Sequence, residues 1–240
     1  MKIYPLKDGN FYVNKNKDFY NLNDAEGLKG IKLAVQSFLI ETNHQLILLD
    51  AGNGFKENGK PKILSNIEAV GINPEKINKI LLSHLHKDHI DGLVNRTMEG
   101  WVLNFPNSEI YLQKREYDFA MTNAGNPSYD LAILQFIIKN AKIMWMEEDN
   151  GYISNEIRFQ VLGGHSPFHQ SFWIEENSEI VFYGADNLPT EYYLIHHLAY
   201  KTDFDGKKAL ENRQKWAQKA QEEHWKILLY HDMKKSILEF

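Results

Sequence analysis

The sequence predicts a mixed α and β chain in which sheets are covered by helices, and three observations carry that reading. Short β-prone apolar runs, such as Leu46–Leu49 and Glu179–Tyr183, are separated by segments with helical spacing. The order strand–helix–strand recurs along the 240 residues. No Pro/Gly/Ser-rich linker, internal repeat or low-complexity segment divides the chain, so one domain spanning residues 1–240 is expected.

Ala34–Glu41 and Gln45–Leu49 are apolar and β-prone, and Thr42-Asn43-His44 between them makes a hairpin pattern. Asp50-Ala51-Gly52-Asn53-Gly54 then breaks the chain. Pro61–Val70 places Ile63, Leu64, Ile67 and Val70 at helical spacing and stops at Gly71. Lys79–Ser83 reads as a buried strand and Glu109–Leu112 as another short one. Lys114–Met121 and Tyr129–Lys139 suit helices. Ile157–Leu162, Ser171–Glu175 and Glu179–Tyr183 read as strands, the last two joined at Glu176-Asn177-Ser178. Gly206–Glu223 is the longest expected helix, with Asp203-Phe204-Asp205 as its cap, and Ile227–Tyr230 is a final strand.

Bulk properties narrow the function. The net charge of −5 offers no basic surface for nucleic acid. Lys207, Lys208, Lys215 and Lys219 alternate with Glu211, Glu222 and Glu223, the pattern of a solvated helix face. Mean hydropathy is −0.48, and no apolar run approaches the roughly 20 residues of a membrane helix. The N-terminus lacks the apolar core of a signal peptide, so a cytoplasmic location is expected. Without cysteine, neither disulfides nor thiolate metal sites are available.

The chemistry concentrates at His84-Leu85-His86-Lys87-Asp88-His89, directly after an apolar strand. Neutral imidazole and carboxylate are natural ligands for zinc and similar divalent ions. An extended backbone from 84 to 86 turns both histidines to one side, toward one ion. A turn beginning at Asp88 swings Asp88 and His89 toward a neighbouring point, which suits two adjacent ions better than one. Further ligand-type residues follow later strands: His165 and His169 in Gly163-Gly164-His165-Ser166-Pro167-Phe168-His169, Asp186 after Glu179–Tyr183, and His231 after Ile227–Tyr230. Ser83 and Ser166 are expected to be hydrogen-bonding neighbours of the histidines, and no Ser-His nucleophile is evident. His44 and His224 read as surface residues, and His196 and His197 as loop residues.

Together these residues resemble the metallo-β-lactamase superfamily. Its His-x-His-x-Asp-His hallmark stands as residues 84–89, its Asp-x-Gly turn as Asp50-Ala51-Gly52, and its Gly-His-[Ser/Thr]-Pro-x-His element as Gly164–His169. Its Gly-Asp strand end stands as Ala185-Asp186, with alanine for glycine, and its closing histidine as His231. The resemblance covers roughly residues 34–232. It implies an α+β fold, a four-layer αβ/βα sandwich. It also implies that His84, His86 and His165 hold one metal, that Asp88, His89 and His231 hold a second, and that Asp186 bridges them. Asp50 and His169 are then supporting residues, and Asp88 is the carboxylate placed to accept or return a proton. The implied cofactors are two divalent ions, zinc first, with manganese, iron or cobalt as alternatives.

The chemistry implied is attack by a metal-bridging hydroxide on a small ester, lactone or related substrate. A phosphotriester hydrolase on the same site and a mononuclear iron dioxygenase of the same fold are the alternatives. The stretch Ala185-Asp186-Asn187-Leu188-Pro189-Thr190 resembles a group of small hydrolases that includes quorum-quenching lactonases and, more distantly, methyl parathion hydrolase; homodimers are common there. The compact acyl-homoserine lactonases carry tyrosine where this chain has Pro189, with Tyr192 or Tyr193 nearby. Phe168 replaces a common glycine and is placed to crowd or line the pocket. Trp101, Phe105, Tyr117, Phe119, Tyr192 and Tyr193 cluster in the expected access loops, where they either pack locally or form an apolar pocket.

Overall fold

The computed structural model describes residues 1–24, 27 and 29–240. Strand β1 (Lys2–Val13) is followed by β2 (Phe19–Asn21), β3 (Ile31–Glu41) and β4 (Leu46–Leu49). A two-residue ribbon, β5 (Lys56–Glu57) with β6 (Lys60–Pro61), leads into helix α1 (Lys62–Ala69). Strand β7 (Lys79–Leu81) delivers the histidine cluster, which continues into the one-turn helix α2 (Lys87–Ile90). The ribbon β8 (Val94–Thr97) and β9 (Gly100–Leu103) precedes β10 (Glu109–Gln113), α3 (Lys114–Thr122), α4 (Leu131–Asn140) and β11 (Lys142–Met146). The second half runs β12 (Asn150–Ser154), β13 (Ile157–Val161), β14 (Gln170–Glu176), β15 (Glu179–Tyr183), α5 (Glu191–His196), α6 (Gly206–Glu222), β16 (Lys226–Leu228) and β17 (Ile237–Glu239).

These strands form two main sheets, ordered β11-β10-β7-β4-β3-β1-β2 and β12-β13-β14-β15-β16-β17. Side-chain alternation sorts their apolar residues into three interfaces. Leu39, Leu48 and Ile80 of the first sheet meet Ile63 and Ile67 of α1 and Ile133, Leu134 and Ile137 of α4. The opposite faces, with Phe38, Ile40, Leu49 and Leu81, pack on Phe172, Ile174, Val181 and Leu228 of the second sheet. The outer face of that sheet, with Trp173, Phe182 and Ile227, receives Trp216 and Ala220 of α6 and Leu194 of α5. Three apolar interfaces mean four layers, helix–sheet–sheet–helix, as the α+β sandwich reading expected. The central strands are buried on both faces, which explains their continuous apolar runs.

Local chemistry fixes the helix starts. The Asp130 side chain accepts from Ile133 N–H (3.0 Å) at α4, and Asp205 accepts from Lys208 N–H (3.0 Å) at α6. Two expected strands are shorter than read: β7 stops at Leu81 and β16 at Leu228, because the backbone leaves both ladders where the ligand-type residues begin. Strand β1 has no counterpart in the sequence reading, since Pro5, Asp8 and Gly9 interrupt its alternation. Its pairing with β3 carries a bulge between Lys7 and Gly9, and β2 covers only its far end, so Pro5 sits where one ladder is absent. Among the described residues, no helix is long and apolar enough to cross a membrane.

The bulge buries Asp8 (4% exposed) over Gly52 in the loop below the histidine cluster. Burial pushes its carboxyl pKa up to about 8. The folded state therefore holds a proton that the unfolded chain releases near its ordinary value. This contribution to stability is full below that value and is lost as pH rises toward about 8, at up to about 1.4 kcal/mol per pH unit. Thermal melts at pH 5 and pH 8, at matched metal content, should show a larger loss for the wild type than for Asp8→Asn. Equal losses would mean that Asp8 is ionised in the fold.

Candidate metal centre

The seven residues expected as ligands converge at one end of the two sheets, just past β7, β13, β15 and β16. The donor atoms of His84, His86, His165 and Asp186 lie within 4.8 Å of one another, and so do those of Asp88, His89 and His231. Asp186 spans the two groups. Its Oδ2 is 3.2 Å from His165 Nε2, while its Oδ1 is 3.2 Å from His89 Nε2 and 3.0 Å from His231 Nε2. Asp88 Oδ2 lies 3.6 Å from His231 Nε2 and 3.9 Å from His89 Nε2. His165 Nε2 and His86 Nδ1 approach to 3.0 Å.

The imidazoles are aimed by what holds their far nitrogens. His89 Nδ1–H donates to Asp50 Oδ2 (2.7 Å), His165 Nδ1–H to Asp203 Oδ1 (2.8 Å) and His231 Nδ1–H to the Ala34 carbonyl (2.6 Å). His84 Nδ1 sits 3.0 Å from Ser83 Oγ. Acceptors at Nδ1 set the tautomer that leaves Nε2 bare and facing the cluster. His84 Nε2, His89 Nε2 and Asp186 Oδ1 are buried and have no hydrogen-bond partner among the described residues. Unpaired buried polar atoms of this kind are costly unless something satisfies them. A divalent cation in each group would do so, and imidazole with carboxylate is a suitable donor set.

Electrostatics divide the histidines into two sets, one held neutral and one in which the surrounding carboxylates favour a proton that a cation would replace. Burial and the neighbouring histidines hold His84 and His86 well below the ordinary range, so both stay neutral. Burial opposes charge on His89, but Asp186, Asp50 and Asp88 outweigh it and raise it well above that range. His231 is raised likewise, against burial, chiefly by Asp186. Burial also opposes charge on Asp186, yet His231, His89 and His165 keep its pKa well below the usual carboxylate range.

Asp50 is the best connected of the supporting residues. It is fully buried and accepts from Ser83 N–H (2.8 Å), Ser83 Oγ–H (2.7 Å), His89 Nδ1–H and Tyr183 O–H (2.6 Å). Its backbone is left-handed (φ 53°), a conformation aspartate tolerates. The turn below the cluster packs so closely that a Cβ on Gly92 would lie 1.8 Å from the Ala51 carbonyl oxygen. His169 is also buried, its Nδ1 3.1 Å from Asn187 Nδ2, and lies behind His84 with ring centroids 5.0 Å apart.

Several supporting residues escaped the sequence reading. Asp203, taken there as part of a helix cap, instead holds His165, and Asp205 alone caps α6. Asn187 accepts from His165 N–H (2.9 Å) and donates to the Gly163 carbonyl (2.7 Å); a Cβ on the left-handed Gly164 would lie 2.4 Å from its Oδ1. Buried Glu116 accepts from Phe168 N–H (3.0 Å), and burial pushes its pKa up to about 7. Tyr230 stacks on His89 at 4.1 Å and donates to the Asp88 carbonyl (2.6 Å). The available signals were position alone: Asn187 follows Asp186, and Tyr230 precedes His231.

A cavity of about 450 Å³ opens onto His86, Asp88, His165, Asp186 and His231. Of the aromatic residues proposed for access loops, Tyr192 and Tyr193 line it, joined by Tyr200 and Phe19. Trp101, Phe105, Tyr117 and Phe119 pack in the core beneath the first sheet instead. Phe168 is absent from the cavity wall; its ring lies 5.0 Å from the Arg115 guanidinium. His44, His196, His197 and His224 are exposed and outside the cluster.

A family model described as the metallo-beta-lactamase superfamily matches residues 30–195. The chain is 26% identical over 224 residues to the N-acyl homoserine lactonase of Bacillus cereus, covering 85% of this chain and 83% of that protein. Its fold matches a probable metal-dependent hydrolase from Staphylococcus aureus (TM-score 0.77, 19% identity, 99% and 91% of the two chains). It also matches AidC, a dizinc quorum-quenching lactonase solved with its product (TM-score 0.74, 22% identity, 98% and 88%).

The two pinning carboxylates should separate on substitution. Asp50→Asn sets an amide NH₂ among donors that bridge both sheets, and should lower the melting temperature of the metal-free protein by about 4 °C or more. Asp203→Asn should leave that temperature nearly unchanged while weakening zinc affinity about 10–100-fold, read by chelator competition. Unchanged affinity in Asp203→Asn would mean that His165 needs no such support.

Proposed function

We propose a dinuclear mechanism from one premise: the chain belongs to the metallo-β-lactamase superfamily and is a metal-dependent hydrolase. In this reading residues 1–240 act as one catalytic unit. His84, His86 and His165 hold one divalent ion, Asp88, His89 and His231 hold a second, and Asp186 is shared. The observation that carries it is the placement of Asp186, with one carboxylate oxygen toward each group of histidines. A mononuclear oxygenase has no use for the complete second group, so hydrolysis is the reading the donors favour.

Two ions held there would supply a water ionised near neutral pH and a Lewis acid for the substrate oxygen. The chain's own contribution is position and proton traffic. Asp50, Asp203 and the Ala34 carbonyl fix the imidazole planes before substrate arrives. Asp88 turns Oδ2 toward the histidines and stands in the cavity wall. Its other oxygen, Oδ1, is the atom we assign to take up a proton and return it to the leaving group. The apolar wall of the cavity excludes water around the reacting group.

The substrate class we assign is a small ester or lactone. Its support is the similarity to N-acyl homoserine lactonases over most of the chain and a cavity sized for a small molecule. Histidine and carboxylate donors suit zinc, and equally manganese, iron or cobalt; zinc is the first choice because a protein of matching fold is dizinc.

Metal analysis of purified protein, with assays on a lactone and an aryl phosphotriester, tests the reading. Two divalent ions per chain are expected. His86→Ala should lose about one ion and Asp186→Ala both, each with a fall of about 100-fold or more in kcat/KM on the lactone. A single iron per chain with no hydrolysis would overturn the proposal, and faster turnover of the phosphotriester would move the substrate class.

A further inference from the structure

The outer wall of the cavity is built by the N-terminal hairpin and the start of β3, which contribute Val13, Phe19, Ile31 and Leu33. Between Val13 and Phe19 the chain makes a tight turn. Asn14 Oδ1 accepts from Asn16 N–H (2.8 Å) and Asp18 N–H (3.0 Å), and Lys17 N–H donates to the Asn14 carbonyl (3.0 Å). This turn holds Lys17 at φ 58°, a left-handed backbone that glycine would adopt without strain. The half-buried Lys17 side chain lines the same cavity as His86.

Lys17 forms no ion pair with any described carboxylate. The acidic groups of the cavity are otherwise engaged: Asp203 with His165, and Asp88 and Asp186 with the histidine cluster. Lys87, also half-buried in the wall, adds a second positive charge beside His86, while Lys32 lies at the rim over the Tyr12 ring. An ammonium with no ion pair among the described residues, in the same cavity as the candidate metal centre and flanked by an apolar wall, is complementary to one kind of molecule.

Resting on the hydrolytic reading above, we infer that the preferred substrate is amphiphilic and anionic: an ester or lactone with a carboxylate or phosphate group held by Lys17 and an apolar arm on Val13, Phe19 and Leu33. A neutral acyl lactone fills the apolar wall and leaves Lys17 without a partner.

The metal-loaded enzyme tests this with two esters that share a leaving group and acyl length, 4-nitrophenyl hexanoate and the mono-4-nitrophenyl ester of adipic acid. The anionic ester should be preferred about tenfold in kcat/KM, and that ratio should fall about fivefold or more in Lys17→Met and persist in Lys17→Arg. It should also shrink as NaCl rises from about 50 to about 500 mM. Calorimetric binding of monomethyl adipate and of hexyl phosphate to the wild type and Lys17→Met adds a readout that needs no turnover; the tighter ligand identifies the anion. An equal ratio in wild type and Lys17→Met, with equal binding of both anions, would overturn the inference. Lys17-dependent binding with neither ester hydrolysed would keep the anion site and remove the ester-hydrolase reading.

Discussion

The fold and the site depend together on one buried carboxylate. Asp50 lies at the end of β4 in the first sheet, yet its four hydrogen bonds reach the strand that carries the histidine motif, the motif itself and Tyr183 of the second sheet. An isolated carboxylate at zero exposure would be strongly disfavoured. Here four donors surround it, three of them on Oδ2, and burial keeps the Tyr183 hydroxyl protonated so that it can donate. The same bond that satisfies Asp50 sets the tautomer of His89. Core packing and ligand orientation are therefore one interaction seen from two sides.

Around this point the sandwich distributes its donors by a simple geometric rule. Parallel strands β4, β7 and β10, and likewise β15 and β16, all end on the same side. Their apolar runs fill the three interfaces, and the first residues beyond each run are released from the ladder to turn into the shared crevice. Asp186 needs a further device. The preceding Ala185 is buried and left-handed (φ 41°), which costs an alanine about 1–2 kcal/mol relative to an ordinary helix or strand. The next residue, Asn187, ties this turn to the Gly163–His169 loop through its side chain, and the buried Arg213 donates to its carbonyl (2.7 Å).

Much of this was legible in the sequence because it depends on local pattern. Residues 84–89 pack histidine and aspartate behind an apolar strand, and strands such as Glu179–Tyr183 announce themselves by composition. What stayed hidden depends on distant contact. Asp203 sits in a stretch that reads as a helix cap, and only the fold brings it to His165. Glu116 looks like any charged residue on a helix until the Gly164–His169 loop closes over it. Strand β1 carries Pro5, Asp8 and Gly9 against its own propensity, and pairing along the length of β3 overrides them. Trp101, Phe105, Tyr117 and Phe119 lie on segments whose surface position sequence could not fix, and packing drew them into the core.

Neither sheet owns a complete set of donors. His84, His86, Asp88 and His89 come from the first half of the chain, and His165, Asp186 and His231 from the second, with each group drawing on both. An ion held in either group is then a staple across the sandwich, closing a long loop of the unfolded chain much as a disulfide would. This chain has no cysteine with which to make one. Such cross-links would be reversible, set by the free metal concentration around the chain, and a chelator would act on the joint between the two sheets as directly as on the chemistry.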